Sequence, residues 1–181
     1  MQVCRMNIIG YGSLMHAGSL SKTIPLRTGI PVIVQGYQRI FNIKPHSLSR
    51  YKLRSHPQEL AILNVESAQN KRFNALMYEI TEEDLEKLKI RERSFYTKEV
   101  QVYSYPDGTK VLTSALLFIG KKLVHGERVV ENTYLPIIEY LNLSRDGARE
   151  VSEEFLALFD ETTYLGDGRT VKEYICNTAL S

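Results

Sequence analysis

Asn7-Ile8-Ile9-Gly10-Tyr11-Gly12-Ser13-Leu14 is a short apolar run that breaks into two glycines around a tyrosine, with a serine behind them. The run reads as a buried strand, Met6–Tyr11, that ends in a tight turn. Glycine admits backbone geometry that a Cβ disfavours, positive φ included. A turn of this kind at a strand end can aim successive backbone N–H groups into one concavity, which suits an anion. The plain alternative is a strand-to-loop turn with no ligand. The stretch is not a dinucleotide fingerprint, because Met15 stands where the last glycine belongs, and no phosphate-loop lysine follows. Ser13 is not in a nucleophile elbow, since Tyr11 and Met15 replace the flanking glycines.

Further strands follow. Pro31–Phe41 mixes Val32, Ile33 and Val34 with Tyr37, Ile40 and Phe41, and a bend is expected at Gly36. Leu60–Val65 and Phe73–Ile80 read as two strands joined by a polar turn over Glu66–Arg72. Glu99–Tyr105 and Lys110–Ile119 flank Pro106-Asp107-Gly108, a hairpin signal. Thr81 is placed to cap a helix whose first turn holds Glu82, Glu83 and Asp84 beside the positive end of the dipole. A second helix is expected over Ser144–Asp160, on the stripe Ala148, Val151, Phe155 and Leu158. A third over Asn132–Leu141 needs Pro136 in its first turn. Strands before Gly120 and helices after it predict an α+β fold: a compact mixed, barrel-like sheet with packed helices. One domain over 1–181 is expected, with its core at about 6–120 and a helical C-terminal extension at about 123–181.

In the first helix, Leu85, Leu88 and Glu92 fall on one stripe at 100° per residue. A carboxylate on an apolar stripe either pairs, reaches water at the helix end, or sits partly desolvated. Desolvation raises a carboxyl pKa, which suits a general acid/base near neutral pH. The plain alternative is a helix-end glutamate paired with Arg91, Arg93 or Lys98. Tyr96 lies close behind and Tyr11 sits in the turn, so both hydroxyls are candidates to touch a ligand. His16 lies just past the turn without an evident acid or nucleophile partner.

The 181 residues carry a net charge of +2, 43% hydrophobic and 24% charged residues, ordinary values for a globular chain. The basic run His46, Arg50, Lys52, Arg54 and His56 around Tyr51 could meet RNA, but the low net charge favours a solvated loop and no nucleic-acid partner. Cys4 and Cys176 have no metal spacing, so no metal is expected. No stretch reads as a signal peptide or a membrane span, which places the expected location in the cytoplasm, away from membrane.

Taken together, Tyr11-Gly12-Ser13-Leu14 after a first strand resembles the opening motif of the gamma-glutamyl cyclotransferase-like family. Gly36-Tyr37-Gln38-Arg39-Ile40-Phe41 looks like its second-strand segment, and Arg91-Glu92 with Tyr96 resembles its catalytic segment, especially in the glutathione-degrading branch. The likeness spans roughly Met6 to Ile119. It implies a cofactor-free enzyme acting on a small gamma-glutamyl amide: the substrate's own α-amine attacks its γ-carbonyl, 5-oxoproline forms and an amine departs. Carried over, Ile9, Gly10, Tyr11, Gly12, Ser13 and Leu14 would bind substrate with Tyr96 near them, and Glu92 would be the acid/base. A non-catalytic metabolite-binding or protein-interaction module on the same fold is the competing expectation. An enzyme requires Glu92 to face a pocket shared with the turn, whereas an interaction module would keep it salt-bridged and covered. Neither the leaving amine nor the oligomeric state is specified by these residues.

Overall fold

A short apolar run that becomes fully buried toward its C-terminal end makes the first strand, and the remaining sheet assembles around it. The computed structural model describes residues 5–49, 51, 56–124, 127–128 and 130–178. In chain order the elements are β1 (Arg5–Gly10), α1 (Ala17–Leu20), β2 (Ile30–Ile43), β3 (Glu59–Thr81), α2 (Glu82–Arg91), β4 (Phe95–Ser104) and β5 (Val111–Gly120). Then come the short strands β6 (Leu123–Val124), β7 (Glu127–Arg128) and β8 (Leu135–Pro136), followed by α3 (Ile138–Arg149), α4 (Glu153–Thr162), β9 (Thr163–Leu165) and α5 (Val171–Thr178).

The main sheet runs β8-β3-β1-β5-β4-β2-β9, and β2 also pairs with β3. That extra pairing closes a circuit from β3 through β1, β5, β4 and β2 back to β3, so the sheet is mixed and barrel-like, as expected. β1 is antiparallel to β3 and parallel to β5, which buries Ile8 and Ile9 completely. Gly36 supplies the bend in β2 with φ of 78°, a value open to glycine at no steric cost.

Three expectations need correction. Glu66–Arg72 is not a turn between two strands, because β3 is continuous over Glu59–Thr81. Between the pairs Gln35↔Arg72 and Tyr37↔Ser67 the long strand carries extra residues as an exposed bulge. Both flanks bury apolar side chains against β2, so polarity in the middle marks solvent and not chain reversal. Ser144–Asp160 is not one helix. α3 ends at Arg149, and Ser152 caps α4 by accepting a 3.1 Å bond from the Phe155 N–H. Nor does a helix start at Asn132: Pro136 lies in β8 beside β3, where its missing N–H costs nothing, and α3 begins at Ile138.

The C-terminal segment shares the core. Tyr140, Phe155, Phe159 and Leu165 belong to the same buried cluster as Ile8, Phe41, Phe73 and Leu117. β9 adds in parallel to β2, and α4 packs on β3. Among the described residues no helix is long and apolar enough to cross a membrane, and no group of histidine, cysteine or acidic residues could hold a metal ion. Cys176 is exposed on α5, while Cys4, Arg50, Lys52 and Arg54 lie outside the described residues.

Candidate active site

The turn after β1 is held from three sides. The Tyr11 ring is buried, stands edge-on to Phe73, and donates its hydroxyl to the Phe118 carbonyl at 2.8 Å. The Tyr11 carbonyl accepts from Arg39 at 3.3 Å, and the Met15 N–H closes the turn onto the Gly12 carbonyl at 2.9 Å. Neither Gly10 nor Gly12 has a positive φ, contrary to the expectation; among the described residues Gly36, Gly108 and Gly168 do. The glycines are there for space. A Cβ on Gly12 would stand 2.4 Å from the Tyr140 hydroxyl, and one on Gly10 would meet the Tyr78 ring at 3.0 Å.

Glu92 arrives from the other direction. Thr81 caps α2, accepting from the Asp84 N–H at 3.2 Å, and Leu85 and Leu88 bury the inner face. Glu92 is the C-cap residue, with its N–H on the Leu88 carbonyl at 2.8 Å and its carbonyl accepting from Phe95 at 2.8 Å. Its side chain is 17% exposed, and one carboxylate oxygen lies 3.1 Å from Arg91 Nε.

The two pieces meet. Tyr11, Gly12, Ser13, Leu14, Glu92 and Tyr140 line one small hollow. A cavity of about 280 Å³ shares Ser13, Glu92, Phe95 and Tyr140 with it and extends past His46 and Tyr51. Glu92 thus faces a space shared with the turn and is also ion-paired, so each competing expectation finds one of its features.

Sequence reasoning missed three residues here. Tyr140, from α3, is a wall of the hollow, and the Ser13 N–H points to its hydroxyl at 3.4 Å. Burial, then the neighbouring Tyr51 and Glu92, raises the Tyr140 phenol above its ordinary range, so it stays protonated and able to donate. Burial likewise raises the Tyr11 phenol, with Tyr140 and Glu92 adding to the effect. Arg39 is the second. Its side chain is fully buried, with its guanidinium 4.0 Å from the centre of the Phe159 ring. It donates to the Asn74 carbonyl at 2.7 Å and to Thr163 at 2.8 Å as well as to the turn. Burial draws it down to about 9, which leaves it cationic at neutral pH. A charged residue inside the apolar run of β2 was the available signal. Arg91, given no site role beyond pairing with Glu92 and its place in the segment that resembles the family's catalytic one, also reaches Ser13 at 3.1 Å.

Other expected residues lie elsewhere. Tyr96 is 48% exposed, whereas Phe95 beside it is buried and lines the cavity. Successive strand residues point to opposite faces, so only one of the two can look inward. Ile9 is buried in the core, and Gly10 packs between Tyr78 and Leu14, behind the hollow. His16 caps α1 through Nδ1 and faces Glu150 at 3.4 Å.

Comparison with known proteins adds an independent finding. The model of a family described as ChaC-like protein matches residues 6–134. A search of curated protein sequences found no match. Among solved structures, YkqA from Bacillus subtilis is similar with a TM-score of 0.60 and 17% identity, over 84% of this chain and 52% of that one, so the chain spans about half of that relative. A gamma-glutamyl cyclotransferase is similar with a TM-score of 0.61 and 12% identity, over 96% of this chain and 99% of the other. A yeast gamma-glutamyl cyclotransferase specific to glutathione gives 0.54 and 17%, over 94% and 96%. At these identities the likeness establishes a shared fold.

Proposed function

The chain belongs to the ChaC-like protein family, and from that premise we propose that it is a gamma-glutamyl cyclotransferase that converts a gamma-glutamyl amide to 5-oxoproline and a free amine. The observation that carries the reading is the hollow shared by Glu92 and the Tyr11–Leu14 turn. The fold shared with the two cyclotransferases supports it.

In the proposed reaction the substrate's α-carboxylate lies on the backbone N–H groups of Gly12, Ser13 and Leu14. The Ser13 N–H contact to Tyr140 is long at 3.4 Å, weak enough for a carboxylate to replace it. Holding the gamma-glutamyl chain folded brings amine and γ-carbonyl together, and such positioning supplies several kcal/mol of the barrier. Glu92 removes a proton from the α-ammonium group. The freed amine attacks the γ-carbonyl carbon and a tetrahedral intermediate forms. The neutral Tyr140 phenol donates to the oxygen on which charge develops. Glu92 returns that proton to the departing nitrogen as its bond to carbon breaks, and the ring nitrogen, which still carries two hydrogens, gives one to the Glu92 carboxylate, from which it passes to the released amine to give an ammonium ion. Bonds formed and broken lie within the substrate, so the scheme needs no protein nucleophile.

The Arg91–Glu92 ion pair favours a second reading, a binding module on the same fold. A panel of gamma-glutamyl amides separates the two. The enzyme releases 5-oxoproline from at least one member, and Glu92→Gln lowers that rate about 100- to 10,000-fold with the fold intact. A binding module releases none. Normal turnover by Glu92→Gln would refute the assignment of the acid/base.

A further inference from the structure

Arg91 lies on the wall of the cavity, where a cation would ordinarily be assigned to a substrate carboxylate. Its bonds argue otherwise. Nη1 donates to the Ser19 carbonyl at 2.7 Å and to the Thr23 hydroxyl at 3.0 Å. Nη2 donates to the Ser19 hydroxyl at 2.9 Å and to the Ser13 hydroxyl at 3.1 Å. The two Nη atoms carry four N–H groups, and each has a protein acceptor. The remaining edge, Nε, faces Glu92 at 3.1 Å, and the side chain is only 16% exposed. The guanidinium is therefore filled by the protein, with the carboxylate on one edge and the segment from Ser13 to Thr23 on the other.

We infer that Arg91 is a positioning residue: a rigid strut that fixes the Glu92 carboxylate relative to the Ser13 turn without itself binding substrate. The inference rests on the cyclotransferase reading for its catalytic consequence, and on geometry alone for the strut. A planar fork with donors in fixed directions can set the distance between two groups, which a flexible ammonium cannot do. The strut also reconciles the two features of Glu92. An ion pair through one oxygen orients the carboxylate and still leaves the group facing the hollow, where Tyr11, Tyr140 and, in the larger cavity, Tyr51, Arg93 and His46 are the other ionisable neighbours.

The test combines turnover with a titration that needs no substrate. Arg91→Lys keeps the charge and loses the fork, so kcat falls about 10- to 100-fold, the scale set by a misplaced catalytic group, while KM changes little. A raised KM at unchanged kcat would mean that Arg91 binds substrate directly, and would overturn the inference. Arg91→Met removes the charge as well, and the Glu92 carboxyl followed by carbon-13 NMR then titrates about one pH unit or more higher than in the unsubstituted protein. An unmoved titration overturns the strut. Should Arg91→Met not fold, Thr23→Val removes one acceptor and leaves the charge: lower kcat at constant KM supports the strut, and unchanged kcat refutes it. Absence of 5-oxoproline across the substrate panel sinks the cyclotransferase reading, whereas the titration judges the Arg91–Glu92 tie separately.

Discussion

One part of the hollow comes from the turn at Tyr11–Leu14 and the segment at Glu92–Phe95; another is Tyr140, delivered by a helix far along the chain, with Leu63 and Phe118 completing the lining. The first wall is defined by local signals: a broken apolar run, a cap, a helical stripe. The second has no local signal, because a tyrosine at helical spacing between Ile137 and Leu141 reads as core, and by burial it is core. The family match likewise ends at residue 134, before α3 begins. The contrast teaches that the half of the hollow holding Glu92 and the turn is set by local sequence signals, while the half that shapes it is a product of packing. Gly12 is where they meet, since its missing Cβ is what admits the Tyr140 hydroxyl.

The most severe way to break the arrangement after loss of Glu92 is Gly12→Ala. The added methyl collides with a buried ring that has little freedom to withdraw, so the two walls separate and kcat/KM falls about 100-fold. Steady-state kinetics on an accepted amide checks this, and unchanged kinetics would make the turn merely structural. Tyr140→Phe sharpens the same contact. It removes the donor to the charge that develops on the γ-carbonyl oxygen, so kcat/KM falls on the order of 100-fold. Combining the two should cost less than the sum, because the hydroxyl that met the new methyl is gone. A coupling of about 0.5–3 kcal/mol is expected from the double-mutant cycle, and strict additivity would show that the walls do not touch.

The smallest effect belongs to the far end of α2. Burial works to raise the Asp84 carboxyl, but bonds from Arg27, at 2.8 Å, and from Thr81 outweigh it and hold the group below the usual carboxylate range. A pKa lowered by folding stabilises the protein above the unfolded value of about 3.9, and that contribution is lost as the pH falls through it to the native one. Asp84→Asn should therefore cost about 1 kcal/mol at pH 7, discounted because Arg27 is partly in water. The cost should shrink as thermal melts are taken below about pH 4, with kcat left nearly unchanged. A cost independent of pH would show that the Arg27 pair contributes nothing.

Much of the fold was legible because its determinants are local. β1, the hairpin around Pro106-Asp107-Gly108 and the Thr81 cap each follow from a few neighbouring residues. What failed depended on distant partners. The polar Glu66–Arg72 segment stays in one strand only because β2 is long enough to hold both its flanks. Arg39 is tolerated in the core because carbonyls of Tyr11, Asn74 and Phe159, far apart in sequence, converge on it. Tyr96 was set beside the site by sequence proximity to Glu92, and strand alternation put Phe95 there in its place. Glu92 lines the hollow shared with the turn, and helical periodicity pointed there because it carries through to the C-cap.

A crystal structure of Glu92→Gln with a gamma-glutamyl amide bound tests the central claim most directly. The account predicts the α-amine against the side chain at position 92 and the α-carboxylate on the amides of Gly12–Leu14, with Tyr140 beside the γ-carbonyl. An amide bound elsewhere, with the turn and position 92 both untouched, would contradict it.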